Sequence, residues 1–145
     1  MTEITFHFNV LGSVDHSCRL LRKAYAKGSS VVVTGEVAIL AELDIRLWSQ
    51  NPPEFVPHCS QDAEQLTFQA TPIVLCASLS AIDHDGVLIN VGQKLPDAFE
   101  RFERLIEVVT SEATDRLAGR QRWKHYASRG YVLKRHDFAL KSKLI

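Results

Sequence analysis

Ser30-Val31-Val32-Val33-Thr34 is the stretch on which the fold turns. Three consecutive β-branched residues give no alternation of inside and outside, so a strand made of them is buried on both faces, as in the interior of a parallel sheet. Upstream, Ile4 to Val10 is apolar and β-prone, with an exit at Leu11-Gly12-Ser13. Between the two strands, Cys18, Leu21, Ala24 and Tyr25 fall at helical spacing among Arg19, Arg22 and Lys23. Asp15 is the expected cap of that helix and Lys27-Gly28 its stop. Downstream, Val37 to Trp48 carries Leu40, Leu43, Ile45, Leu47 and Trp48, a second helix ended before Pro52-Pro53 because proline lacks the amide donor and restricts its predecessor.

The rest of the chain continues the alternation. Phe55 to His58 reads as extended, and Glu64 to Ala70 fits helix and strand equally. Pro72 to Ala77 and Gly86 to Val91 are further apolar β-prone runs around a polar turn at Asp83-His84-Asp85. Ala98 to Arg104 reads as helical and Leu105 to Thr110 as a strand. Ser111 is the expected cap of a long helix with Glu112 and Asp115 near its start and Gly130 as its stop, and Tyr131 to Lys134 is the expected last strand. Strands alternating with helices imply right-handed crossovers and an α/β domain in layers, with a mainly parallel central sheet flanked by helices. The 145 residues fit a single domain spanning 1–145.

Hydrophobic residues make up 46% and charged residues 23%, a globular composition and not that of a disordered chain. No apolar run reaches the roughly 20 residues of a membrane helix, and the start Met-Thr-Glu-Ile-Thr has no signal-peptide character, so a cytoplasmic location is expected. Cys18, Cys59 and Cys76 are odd in number and widely spaced, which favours reduced thiols over a disulfide framework.

Motifs for chemistry are missing. The first strand-to-helix turn, Val10-Leu11-Gly12-Ser13-Val14, has neither the dinucleotide glycine fingerprint nor a phosphate loop. The six histidines are scattered, and His58-Cys59 lacks zinc-site spacing. No serine lies in a nucleophile elbow. The expectation is a protein with no catalytic residue, no metal and no cofactor of its own.

Charge is where the sequence is informative. The formal net charge is zero, yet from Arg116 to Lys143 there are nine basic residues (Arg116, Arg120, Arg122, Lys124, Arg129, Lys134, Arg135, Lys141, Lys143) against one acidic residue, Asp137. Such a segment expects an acidic partner. Arg116, Arg120 and Lys124 recur every four residues and form one row of the helix, with Trp123 beside it. The row can hold phosphates over a stacking ring, or an acidic peptide whose carboxylates and apolar end meet the cations and the indole. It can equally be a solvated helix with Trp123 turned inward. Trp48 and Phe55, around Pro52-Pro53, form either a core corner or an aromatic anchor for a partner.

The combination of Leu47-Trp48, Pro53-Glu54-Phe55-Val56-Pro57-His58, Phe102 to Val109, and Arg120-Gln121-Arg122-Trp123-Lys124-His125-Tyr126 ending at Gly130-Tyr131 resembles the chi subunit family of DNA polymerase III over nearly the whole chain. The resemblance implies a Rossmann-like domain without a phosphate-binding loop. It implies a non-catalytic adaptor of the clamp-loader assembly that joins the psi subunit to single-stranded-DNA-binding protein, with nucleic acid engaged mainly indirectly and no membrane contact. Carried over by position, Arg120 would bind the carboxylates of that protein's acidic, phenylalanine-ended tail, Lys124 would add charge, and Trp123 would supply apolar contact. Trp48 and Phe55 would face psi. Trp123 stands where other members can carry tyrosine, and Ala127 where some carry arginine. The alternative is a domain that binds single-stranded nucleic acid directly, for which Trp123 and Tyr126 are the obvious stacking rings.

Overall fold

The protein is seen in a computed structural model that describes residues 2–48, 59–60, 73–77, 79, 86–96 and 98–138. In chain order its elements are β1 (Glu3–Val10), α1 (Ser13–Ala26), β2 (Val31–Thr34), α2 (Val37–Trp48), β3 (Cys59–Ser60), β4 (Ile73–Leu75), β5 (Val87–Asn90), a 3-10 turn (Phe99–Arg101), β6 (Arg104–Thr110), α3 (Ala113–Ser128) and β7 (Leu133–Asp137). The described strands form one sheet in the order β3-β4-β2-β5-β6-β1-β7, and every neighbouring pair is parallel.

The valine run behaves as an interior strand. Val31 and Val33 enter an apolar core with Val14, Cys18 and Leu21 of α1 and Leu40, Leu43 and Leu47 of α2. Val32 enters a second core with Ile4, Phe6, Val109, Phe99, Phe102 and Tyr126. All three valines are fully buried, each contributing roughly 1.5–3 kcal/mol relative to exposure. Helices α1 and α2 therefore cover one face and α3 the other, giving three layers.

A fault in β1 shapes the rest. Its pairing with β6 shifts between His7 and Val10, and Asn9 sits at φ 58. Regular alternation would put Val10 beside Ile4 and Phe6, but the bulge turns it into the opposite core.

The glycine stops hold. Gly28 and Gly130 lie in the left-handed region at φ 74 and φ 85. At each, the following amide reaches back into the last helical turn: Ser29 to Ala24 and Tyr131 to Tyr126. The starts differ from expectation. Gly12, not Asp15, occupies the N-cap position of α1, since the His16 amide already donates to the Gly12 carbonyl. The Asp15 carboxylate pairs instead with Arg46 of α2. Glu112, not Ser111, precedes α3, and Asp115 reaches back to the amide and hydroxyl of Thr110, tying the helix to the end of β6.

Ala98 to Arg104 is no helix beyond the turn at Phe99–Arg101. The Thr2 hydroxyl donates to the Phe102 carbonyl, and the Glu103 and Arg104 amides donate to Gly86, which pulls this segment into the sheet. Leu105 to Thr110 is a strand as expected. The last strand starts later than expected, at Leu133, because the turn after α3 engages Gly130 and Tyr131. Phe55 to His58, Glu64 to Ala70 and Asp83-His84-Asp85 lie outside the described residues.

Candidate functional site

Helix α3 presents the expected row to solvent. Arg116, Arg120 and Lys124 are exposed, and Trp123 is half-buried. The indole packs edge-on to Phe6, with ring centroids 5.1 Å apart, and tilts against Phe8 at 5.9 Å. It is thus inward-packed on one side and lines a cleft on the other.

Together these side chains line a cleft of about 340 Å³ with Phe8 and Asn9 of β1 and Arg135 and Asp137 of β7. Two successive residues of β1 reach one cleft because the bulge suspends alternation there. The Asn9 amide donates to the Asp137 carboxylate at 2.9 Å, joining β1 to β7 at the cleft wall. Among the described residues, four cations face one carboxylate around an aromatic floor. Physically this suits an anionic ligand with an apolar end.

Beneath the cleft, α3 is held by a buried polar network. Glu107 of β6 accepts hydrogen bonds from Arg122 Nε at 3.0 Å, Asn90 Nδ2 at 2.8 Å and the Tyr126 hydroxyl at 2.5 Å. Arg122 also donates to the Gln93 carbonyl at 2.7 Å. Arg122 was expected among the cations offered to a partner, and the structure corrects this. It is 3% exposed and serves the interior, because α3 turns its side chain over the sheet. Burial pushes the Glu107 carboxyl up, with Arg122 and the hydrogen bonds drawing it partly back. Burial and the adjoining carboxylate also push the Tyr126 hydroxyl up, keeping it a donor. Tyr126 is fully buried, which removes it as a stacking ring for nucleic acid.

Other candidates are placed less fully. Trp48 ends α2, which packs on the sheet face opposite α3, and Phe55 and His58 lie outside the described residues. Cys18 and Cys76 are buried, and burial pushes the Cys18 thiol up. Among the described residues no group of three or more His, Cys, Asp or Glu could hold a metal, and no helix is long and apolar enough to cross a membrane.

Sequence reasoning counts Arg135 and Asp137 in the basic segment but does not place them beside the helix row. Only the pairing of β7 with β1 carries them to α3, and that contact spans more than 120 residues of chain.

A second cleft, about 510 Å³, opens past the C-terminal ends of β2 and β5. Its charged lining residues, Glu36 and Lys94, oppose each other in sign. The Asn90 amide group there is already committed to Lys94, Glu107 and Gly92. It offers no comparable concentration of one charge.

Comparison with known proteins agrees with the features above. The family model described as "DNA polymerase III chi subunit, HolC" matches residues 1–134. A Pseudomonas aeruginosa protein named DNA polymerase III subunit chi is 33% identical over 145 residues, covering 94% of this chain and 96% of its own length. A Haemophilus influenzae protein of the same name is 31% identical over 120 residues, covering 81% of each chain. A family model that matches residues 1–134, together with relatives at 33% and 31% identity, makes this chain a member of the DNA polymerase III chi subunit family.

Proposed function

We propose that this protein is a non-catalytic accessory subunit of the replicative DNA polymerase III assembly, and that its α3/β7 cleft grips the acidic C-terminal tail of single-stranded-DNA-binding protein. The observation that carries the reading is the convergence of Arg116, Arg120, Lys124 and Arg135 on the half-buried Trp123 in one cleft. The guanidinium of Arg120 pairs with tail carboxylates, Lys124 and Arg116 add attraction, and a terminal phenylalanine lies against Trp123 and Phe8. On this reading Trp48 and Phe55 face the psi subunit.

The mechanism needs no chemistry beyond recognition. A disordered tail loses conformational freedom on binding, so a single contact is weak, on the order of micromolar. Many tails on a coated strand raise the effective affinity, which holds the polymerase assembly near its template while each contact still exchanges.

The test is a titration of the purified protein with a labelled peptide of several aspartates ending in phenylalanine, at two salt concentrations, against Arg120→Ala and a peptide lacking the last residue. The expected result is salt-sensitive binding that both deletions reduce at least tenfold. Binding of labelled single-stranded DNA with no binding of the peptide would replace tail recognition by direct nucleic-acid binding. The psi assignment is tested by co-purification with psi: Trp48→Ala and Phe55→Ala are expected to abolish it while leaving peptide affinity unchanged.

A further inference from the structure

The outermost strand on the cleft side, β7, offers more than its side chains. The Phe138 amide donates to the Phe8 carbonyl at 2.9 Å, and Phe8 is opposite Asp137 in the parallel register. Backbone groups alternate direction along a strand, so Lys134 and His136 turn theirs toward β1 while Leu133 and Arg135 turn theirs away. Among the described residues neither Leu133 nor Arg135 has a hydrogen-bond partner on that outer side.

The same residues look into the cleft region. Arg135 lines the cleft, and Leu133 packs against the apolar cluster under α3. A strand laid along this edge would send every second side chain toward α3, at a repeat of roughly 6.6 Å, and the others to the opposite face. An open edge is normally a hazard that charge guards against. Here the guards are cations: Lys134, which pairs with Glu3 at 2.9 Å, and Arg135. They repel a second copy of the same edge and attract an acidic chain.

We propose that an acidic peptide in the cleft adds to the outer edge of β7 as a short extra strand. It exchanges backbone hydrogen bonds with Leu133 and Arg135 while alternate carboxylates face Arg135, Arg120 and Lys124. The inference rests on the tail-binding reading and specifies its geometry: main-chain bonds supply affinity, and alternate side chains supply selection.

The experiment is a backbone N-methyl scan of the same aspartate-rich, phenylalanine-ended peptide, read by titration against the intact protein. Methylation removes one amide donor at a time and leaves the side chains in place. The expected profile has period two, with alternate positions losing about three- to tenfold in affinity and the intervening ones nearly unchanged. Arg135→Pro, compared with Arg135→Ala, is the matching change on the protein. Arg135 points its amide outward, so proline there removes a donor to the peptide without removing one from the β1 ladder. A further three- to tenfold loss beyond that of Arg135→Ala, about the value of one hydrogen bond, is expected. A flat methylation profile, with the unmodified peptide still bound through Arg120, overturns strand addition and leaves tail recognition standing. Failure of the unmodified peptide to bind overturns both.

Discussion

Glu107 is the residue on which the position of α3 depends. It sits at 0% exposure with Arg122 as its ion-pair partner, so its removal leaves a buried guanidinium uncompensated. Glu107→Ala is expected to cost about 3–5 kcal/mol in urea unfolding. The pH response has a definite sign. The folded carboxyl titrates above its ordinary value of 4.5, so the folded chain holds this proton more firmly than the unfolded chain. Its contribution is complete below that ordinary value and declines as pH rises through the raised one. The melting-temperature gap between wild type and Glu107→Gln is therefore expected to be widest in acid and to narrow with rising pH. Asp137 makes a different prediction at the same scale. Among the described residues it is the one carboxylate in a cleft of four cations, and it opposes an acidic ligand. Asp137→Asn removes the repulsion and is expected to tighten peptide binding by about two- to fivefold, read by the same titration.

At the scale of elements, the seat of α3 is set by a close approach. A Cβ built on Gly119 would lie 2.9 Å from Val109 Cγ2 and 3.0 Å from Cγ1, so the helix rests on β6 at that turn. Gly119→Ala gains about 1 kcal/mol of helix propensity. Overpacking costs roughly 1–3 kcal/mol, and the net expectation is a lowered melting temperature. Pairing Gly119→Ala with Val109→Ala should relieve the overlap, so the two changes together cost less than their sum. Elements were also what the sequence displayed best. The valine run, the two glycine stops and the β6 strand could be read because each follows from local periodicity or local backbone geometry. The helix starts could not: Asp15 is spent on Arg46, a partner supplied by tertiary packing, and Glu112 stands before α3 in place of Ser111. The segment from Ala98 to Arg104 has helical composition and is overruled by hydrogen bonds that the Glu103 and Arg104 amides donate to the Gly86 carbonyl.

The whole molecule has a formal net charge of zero, and the function proposed for it depends on where that charge is unbalanced. The row Arg116, Arg120, Lys124 was legible because four-residue spacing fixes a helix face. Arg135 and Asp137 were not, since their place in the cleft follows from strand order. Arg122 belongs to the same basic segment but faces the interior, which spacing alone did not reveal. A ligand held by exposed cations is screened by salt, so single-tail affinity is expected to fall several-fold from low to physiological ionic strength. A peptide array on one scaffold should lose less in absolute retention, as multiple contacts share the strand. The protein has two tryptophans, Trp123 at the cleft and Trp48 at the end of α2, so two indole N–H resonances separate the two proposed surfaces. The decisive measurement is a two-dimensional amide spectrum of the labelled protein titrated with the acidic, phenylalanine-ended peptide. The account predicts that the Trp123 indole moves in proportion to occupancy while Trp48 stays still. Movement of Trp48 alone, or of neither indole at saturating peptide, would contradict it.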